Sequence, residues 1–204
     1  MPFVSHKGRN ICFIHIPKTG GSSVERWMGN LGEVRFRHLG IPSTGRITPQ
    51  HFTCNNLKEF LGDNFFDYKF TIVRDPYNRI ESEYRQHWII SRGGFWQEAP
   101  TFSHFLESNI LETRNNAFHR DNHMRPQVDF LGSNVKVFRY ELGLNAILQT
   151  VCDDLGLPFS PAAERVFSSD AFTGEIKWDL QDRLSVNAFY EKDFSVLGYP
   201  LIES

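Results

Sequence analysis

A chain of 204 residues, 40% hydrophobic and 14% aromatic, can bury one sizeable core and has little room for a second. Its 22 Lys and Arg nearly balance 24 Asp and Glu, which excludes a whole-molecule field that draws nucleic acid or an anionic membrane surface; an anion site has to be local. The three cysteines, Cys12, Cys54 and Cys152, are odd in number and far apart, which argues against a disulfide framework or a zinc site and for a reducing compartment.

The stretch before Pro17 is apolar only briefly and is interrupted by His15, so it fits neither a signal peptide nor a membrane span; the expectation is a soluble, cytoplasmic protein. In chain order, Asn10–Ile16 reads as a buried strand, Pro17–Gly21 as a turn, and Ser22–Leu31 as a helix with Val24, Trp27, Met28 and Leu31 at helical spacing. Val34–Leu39 reads as a second strand, Asn56–Leu61 as a short helix and Tyr68–Val73 as a third strand. Asp75 is a natural N-cap and Pro76 a natural first helical residue, which predicts a helix over Pro76–Ile90. Further helices are predicted over Phe102–Glu112, Glu141–Leu155 and Leu180–Phe194, with a strand at Val135–Phe138. The alternation, unbroken by repeats or linkers, predicts one α/β domain over residues 1–204 with a mostly parallel central sheet flanked by helices. A ligand is then expected at the carboxyl ends of the strands. The 19 phenylalanines imply a core of large flat side chains.

The sharpest motif is Pro17-Lys18-Thr19-Gly20-Gly21-Ser22-Ser23, between the first strand and the first helix. Two glycines permit backbone angles that expose N–H groups, and a helix N-terminus adds about half a positive charge. Lys18 brings a mobile cation, and Thr19, Ser22 and Ser23 bring hydroxyl donors. The lysine precedes the glycines, whereas the nucleoside-triphosphate loop GxxxxGK[ST] places it after them. A second constellation is Val73-Arg74-Asp75-Pro76-Tyr77-Asn78-Arg79-Ile80-Glu81-Ser82-Glu83-Tyr84, with Arg74 at the end of a buried strand, where a guanidinium can clamp a phosphate. Ser82 follows about two helical turns later.

These two motifs, in this order, resemble those of the PAPS-dependent sulfotransferase superfamily: PK(T/S)GG(S/T)(S/T) after a strand, then VRDPxxRxxSxY. The resemblance is to its carbohydrate-type, family 2-like branch, and implies a P-loop-like sulfotransferase fold. It implies that Pro17, Lys18, Thr19, Gly20, Gly21, Ser22 and Ser23 bind the 5′-phosphosulfate end of 3′-phosphoadenosine 5′-phosphosulfate (PAPS), and that Arg74 and Ser82 hold the 3′-phosphate. Lys18 is also the candidate cation for the leaving oxygen. The branch carries a histidine that acts as general base between the two motifs, followed by a short helix, and His51 matches it by position; Gln50 precedes it and no second histidine is adjacent. His15, inside the first strand, is read as a core residue.

The segment Asn115–Gln127 is polar and rich in histidine; HxRPQxxFL, which begins in it at His123 and runs to Leu131, resembles a segment of the same branch, and His119, His123, Arg125 and Gln127 are candidates for binding a polyhydroxylated or anionic acceptor. The spacing of His119 and His123 would suit a metal on a helix, but no third ligand follows at a recognisable spacing, and no metal is expected. Phe138-Arg139-Tyr140-Glu141-Leu142 and the terminal Tyr190-Glu191-Lys192-Asp193-Phe194 with Gly198-Tyr199 extend the resemblance. The expected function is sulfuryl transfer from PAPS, leaving PAP, to a hydroxyl of a carbohydrate or related metabolite, with no nucleic-acid partner and an oligomeric state left open. An ATP-dependent small-molecule kinase and a non-catalytic nucleotide-binding protein are the competing classes.

Overall fold

The computed structural model describes residues 1–37, 46–62, 64–93, 100–161, 172 and 174–202. In chain order its strands are β1 (Phe3–His6), β2 (Arg9–Ile14), β3 (Tyr68–Val73) and β4 (Val135–Arg139). Its helices are α1 (Gly21–Met28), α2 (Cys54–Leu61), α3 (Pro76–Gly93), α4 (Phe102–Asn115), α5 (Leu144–Leu155), α6 (Leu180–Phe189) and α7 (Glu191–Leu197). The chain divides into two compact units, Met1–Arg74 with Asp129–Val166, and Asp75–Val128 with Phe167–Ser204.

The first unit carries the whole sheet, in the order β1-β2-β3-β4. β2, β3 and β4 run parallel, and β1 adds an antiparallel edge. That edge is a hairpin the sequence pattern did not suggest: Lys7 and Gly8, with φ of 48° and 76°, form a two-residue turn whose twist matches the flanking strands. Ile11 and Phe13 on β2 and Phe70 and Ile72 on β3 present one face to Val24, Trp27 and Met28 of α1 and to Ile147, Leu148 and Val151 of α5. Phe13 and Phe70 are register partners with ring centroids 5.2 Å apart, which is where part of the phenylalanine excess is used. Cys12, Ile14, Thr71 and Val73 on the alternate face are also buried, so β2 and β3 read as continuous apolar runs, as parallel strands do.

Three expected elements differ. Of the strand expected over Val34–Leu39, the described residues 34–37 form only a single bridge, Arg35 to Phe3, because Phe36 takes a φ of 59° that an extended strand cannot hold; His38 and Leu39 lie outside the described residues. The helix expected from Glu141 starts at Leu144, after a 3-10 turn over Tyr140–Leu142 and a Gly143 at φ 85°. The last helix is two helices, since Tyr190 (φ −106°, ψ 24°) leaves helical geometry between α6 and α7.

The second unit is helical. Asp75 accepts from the Asn78 N–H at 2.9 Å and Pro76 follows it, so α3 begins as its cap predicts. Asp179 and Asp182 close a reciprocal capping box on α6. Tyr84 of α3 packs against Phe102 and Phe105 of α4, with centroids at 5.2 and 5.3 Å. The buried Asp193 of α7 accepts the backbone N–H groups of Gln127 and Val128 at 2.9 and 3.0 Å, and the Tyr190 hydroxyl donates to the Met124 carbonyl at 2.6 Å.

Candidate functional site

At the carboxyl ends of β2, β3 and β4 the first unit places, in turn, the loop His15–Gly20, then Arg74, then Tyr140. In the loop, Lys18 and Gly20 both adopt left-handed backbone, with φ of 70° and 89°. For Lys18 this is an uncommon conformation, of the kind found where a chain is shaped around a ligand. Thr19 is fully buried and its hydroxyl donates to the Ile16 carbonyl at 2.8 Å, bracing the turn from inside. Gly20 caps α1 without a side-chain acceptor, so the first turn of that helix has an end unclosed by any capping side chain. Lys18 and Ser22 are half-buried, and Pro17 and Ser23 are buried.

Arg74 ties the second motif to the first. Its Nη1 donates to the Lys18 carbonyl at 3.2 Å, and its guanidinium lies 4.6 Å from the centroid of the Tyr140 ring. A cation stacked on an aromatic face is held in a defined plane, as bidentate recognition of an oxyanion requires. Gly20 belongs to the same corner: a Cβ there would stand 3.0 Å from both Tyr140 Cε2 and Leu144 Cδ2.

His51 closes a 3-10 turn over Pro49–His51 and is buried. Its ring meets that of His15 edge-on, with centroids 5.0 Å apart and planes at 81°. His15 in turn places Nδ1 2.6 Å from Oε1 of Glu25 on α1, and the Gln50 amide donates to the same oxygen at 2.8 Å. The Arg37 Nε stands 3.2 Å from the other Glu25 oxygen, near enough for charge attraction but without hydrogen-bond alignment. Burial pushes the Glu25 carboxyl up, but the His15 and Gln50 hydrogen bonds and the His15 and Arg37 charges outweigh it and hold it below its ordinary value. Glu25 and Gln50 carry no role in the sequence pattern, and His15 reads there as a core residue. One signal was present: Glu25 lies four residues after Gly21 and three before Met28, on the buried stripe of α1.

Residues 1–153 match the model of a family described as the sulfotransferase family. The chain belongs to the sulfotransferase family. The matched region holds both anion motifs, His51 and the polar segment 115–127 of this family member. Comparison with curated proteins and with solved structures gave no match.

In the second unit of this sulfotransferase-family chain, Ser82 is half-buried on α3. The segment 115–127 is anchored rather than loose. Glu83, buried on α3, accepts from Arg120 at 2.9 Å and from the His123 Nδ1 at 2.8 Å, while Arg79 donates to the His123 carbonyl at 2.7 Å. His119 pairs its Nε2 with Asn109 Oδ1 at 3.0 Å; burial, helped by the Arg120 charge, lowers its affinity for a proton. Arg120, Asp121 and Asn122 run consecutively through left-handed backbone, at φ of 49°, 56° and 65°. Gln127 is fully buried and Arg125 half-buried. Among the described residues no three His, Cys, Asp or Glu side chains gather as a metal site would need, and no helix is long and apolar enough to cross a membrane.

Proposed function

We propose that the chain transfers a sulfuryl group from PAPS to an acceptor hydroxyl, with a carbohydrate or related metabolite as acceptor. The observation that carries this reading is the hydrogen bond from the Arg74 guanidinium to the Lys18 carbonyl, which joins the second motif to the backbone of the first at the carboxyl end of the parallel strands. The fit to a phosphate-bearing donor rests on that corner: an eight-residue helix without a side-chain cap, glycines where a Cβ would crowd its neighbours, and one mobile and one planar cation. PAPS, when bound, supplies an activated sulfuryl group whose leaving oxygen carries a phosphate.

In this reading the backbone of Gly20 and Gly21 and the hydroxyls of Ser22 and Ser23 orient the 5′ end, with Pro17 and Thr19 fixing the loop's shape. Arg74 and, from its motif position, Ser82 hold the 3′-phosphate. His51 accepts the acceptor's hydroxyl proton as the oxygen–sulfur bond forms, and Lys18 stabilises the phosphate oxygen as its bond to sulfur breaks. His119, His123, Arg125 and Gln127 contribute to acceptor recognition, the three last of these through the resemblance of their segment. A P-loop-like fold, the absence of a metal requirement and a cytoplasmic setting complete the proposal.

The test offers sulfur-labelled PAPS to a panel of glycans and small hydroxylated metabolites. Label transfer by the wild type, lost by more than about a hundredfold in His51→Ala while PAP still binds, is expected. Transfer that survives His51→Ala at the wild-type rate assigns the base elsewhere.

A further inference from the structure

The second glycine of the loop has no backbone reason to be glycine. Gly21 is the first residue of α1 and is not among the residues with positive φ. What forbids a side chain there is an imidazole: a Cβ on Gly21 would fall 2.0 Å from His15 Nε2 and 2.3 Å from its Cδ2. The ring cannot easily swing away. Its Nδ1 is bound to the buried Glu25 carboxylate at 2.6 Å, and Gln50 holds the same carboxylate oxygen at 2.8 Å. An ionised carboxylate only accepts, so His15 carries hydrogen on Nδ1 and turns Nε2 toward the start of α1. The same ring is in edge-on contact with His51.

We propose that His15, oriented by Glu25, is a positioning residue of the donor site, setting at once the first turn of α1 and the His51 imidazole. This rests on the reading of Gly20–Ser23 as the PAPS cradle and of His51 as base. One imidazole thus registers the anion loop against the base, and the glycine at position 21 is the complement of that imidazole. Among the described residues, Arg37, Gln50 and His51 are polar groups facing the pair from outside α1 and the loop after β2.

The test is size complementation read by PAP titration on wild type, Gly21→Ala, His15→Ala and the double variant. Gly21→Ala is expected to weaken PAP binding about tenfold in the wild-type background and to cost nothing further once His15 is alanine. Equal losses in both backgrounds, or no loss in either, overturn the positioning role while leaving PAP binding by wild type intact. A wild type that binds no PAP overturns the donor-site reading, and the positioning role with it. Should His15→Ala fail to fold, Glu25→Gln, which keeps the side chain's size, serves instead, read by nitrogen NMR of the histidine rings. In wild type, PAP addition shifts both the His15 and the His51 signals. In Glu25→Gln, the His15 Nδ1–H signal shifts and the His51 response to PAP changes. A pair that merely fills the core leaves the His15 and His51 signals unmoved by PAP.

Discussion

Glu25 is fully buried, and three neighbouring groups keep it ionised: His15, Gln50 and Arg37. Its proton affinity in the fold lies below the ordinary carboxyl value of 4.5, so its contribution to stability is present above that pH and is lost as pH falls through the lowered folded value. The buried Asp193 has the opposite sign: burial raises it above 3.8, and its contribution is complete below that pH and lost as pH rises through the raised value. Acid loss of stability below pH 4.5 therefore draws on Glu25 and not on Asp193. Melting temperature followed against pH is expected to fall less steeply on the acid side in Glu25→Gln than in wild type, and an unchanged acid limb would contradict the pair's role. Burial also pushes the Cys12 thiol up to about 12 and the Cys54 thiol up to about 11, so both stay protonated at neutral pH. Lys18 and Arg74 stand out in the sequence because their neighbours form motifs with a fixed order, and His51 by its position between them. Glu25 does not, because a lone carboxylate between Val24 and Arg26 reads as a solvated position until the loop after β2 supplies the histidine that pairs with it.

Elements with a local signal were read correctly, and those set by backbone angles were not. Asp75-Pro76 announces the start of α3, and β3 is bounded as its apolar run implies. The hairpin of β1 and β2 was missed because Lys7 is not a residue that ordinarily marks a left-handed turn, and Phe36 ended a strand for the same unadvertised reason. Two substitutions separate structural from functional ends of helices. Asp179→Ala opens the capping box of α6 and is expected to cost about 1 kcal/mol in denaturant unfolding with no change in PAP affinity. Gly20→Ala adds a Cβ at φ 89° against Tyr140 and Leu144, and is expected to cost about 1–3 kcal/mol and to weaken PAP binding as well. A Gly20→Ala protein that binds PAP normally would remove Gly20 from the cradle.

At the scale of the molecule, alternation of strands and helices was enough to predict a mostly parallel sheet with helices packed against it. The antiparallel edge strand and the anchoring of the second unit's polar segment depend on distant partners, Phe3 to Cys12 in one case and Glu83 to Arg120 and His123 in the other, which no local pattern carries. The expectation of one domain over residues 1–204 predicts a single calorimetric unfolding transition whose enthalpy equals the van't Hoff value. Two resolved transitions would give the units separate stabilities. Arg74 meets the Lys18 backbone at one corner, at the carboxyl ends of β2 and β3. Calorimetric titration of wild type and Arg74→Ala with PAP, and in parallel with ATP and magnesium, tests that corner as the PAP site most directly. Tight PAP binding lost by about a hundredfold or more in Arg74→Ala is the predicted result; a preference for ATP, or PAP binding indifferent to Arg74, would contradict it.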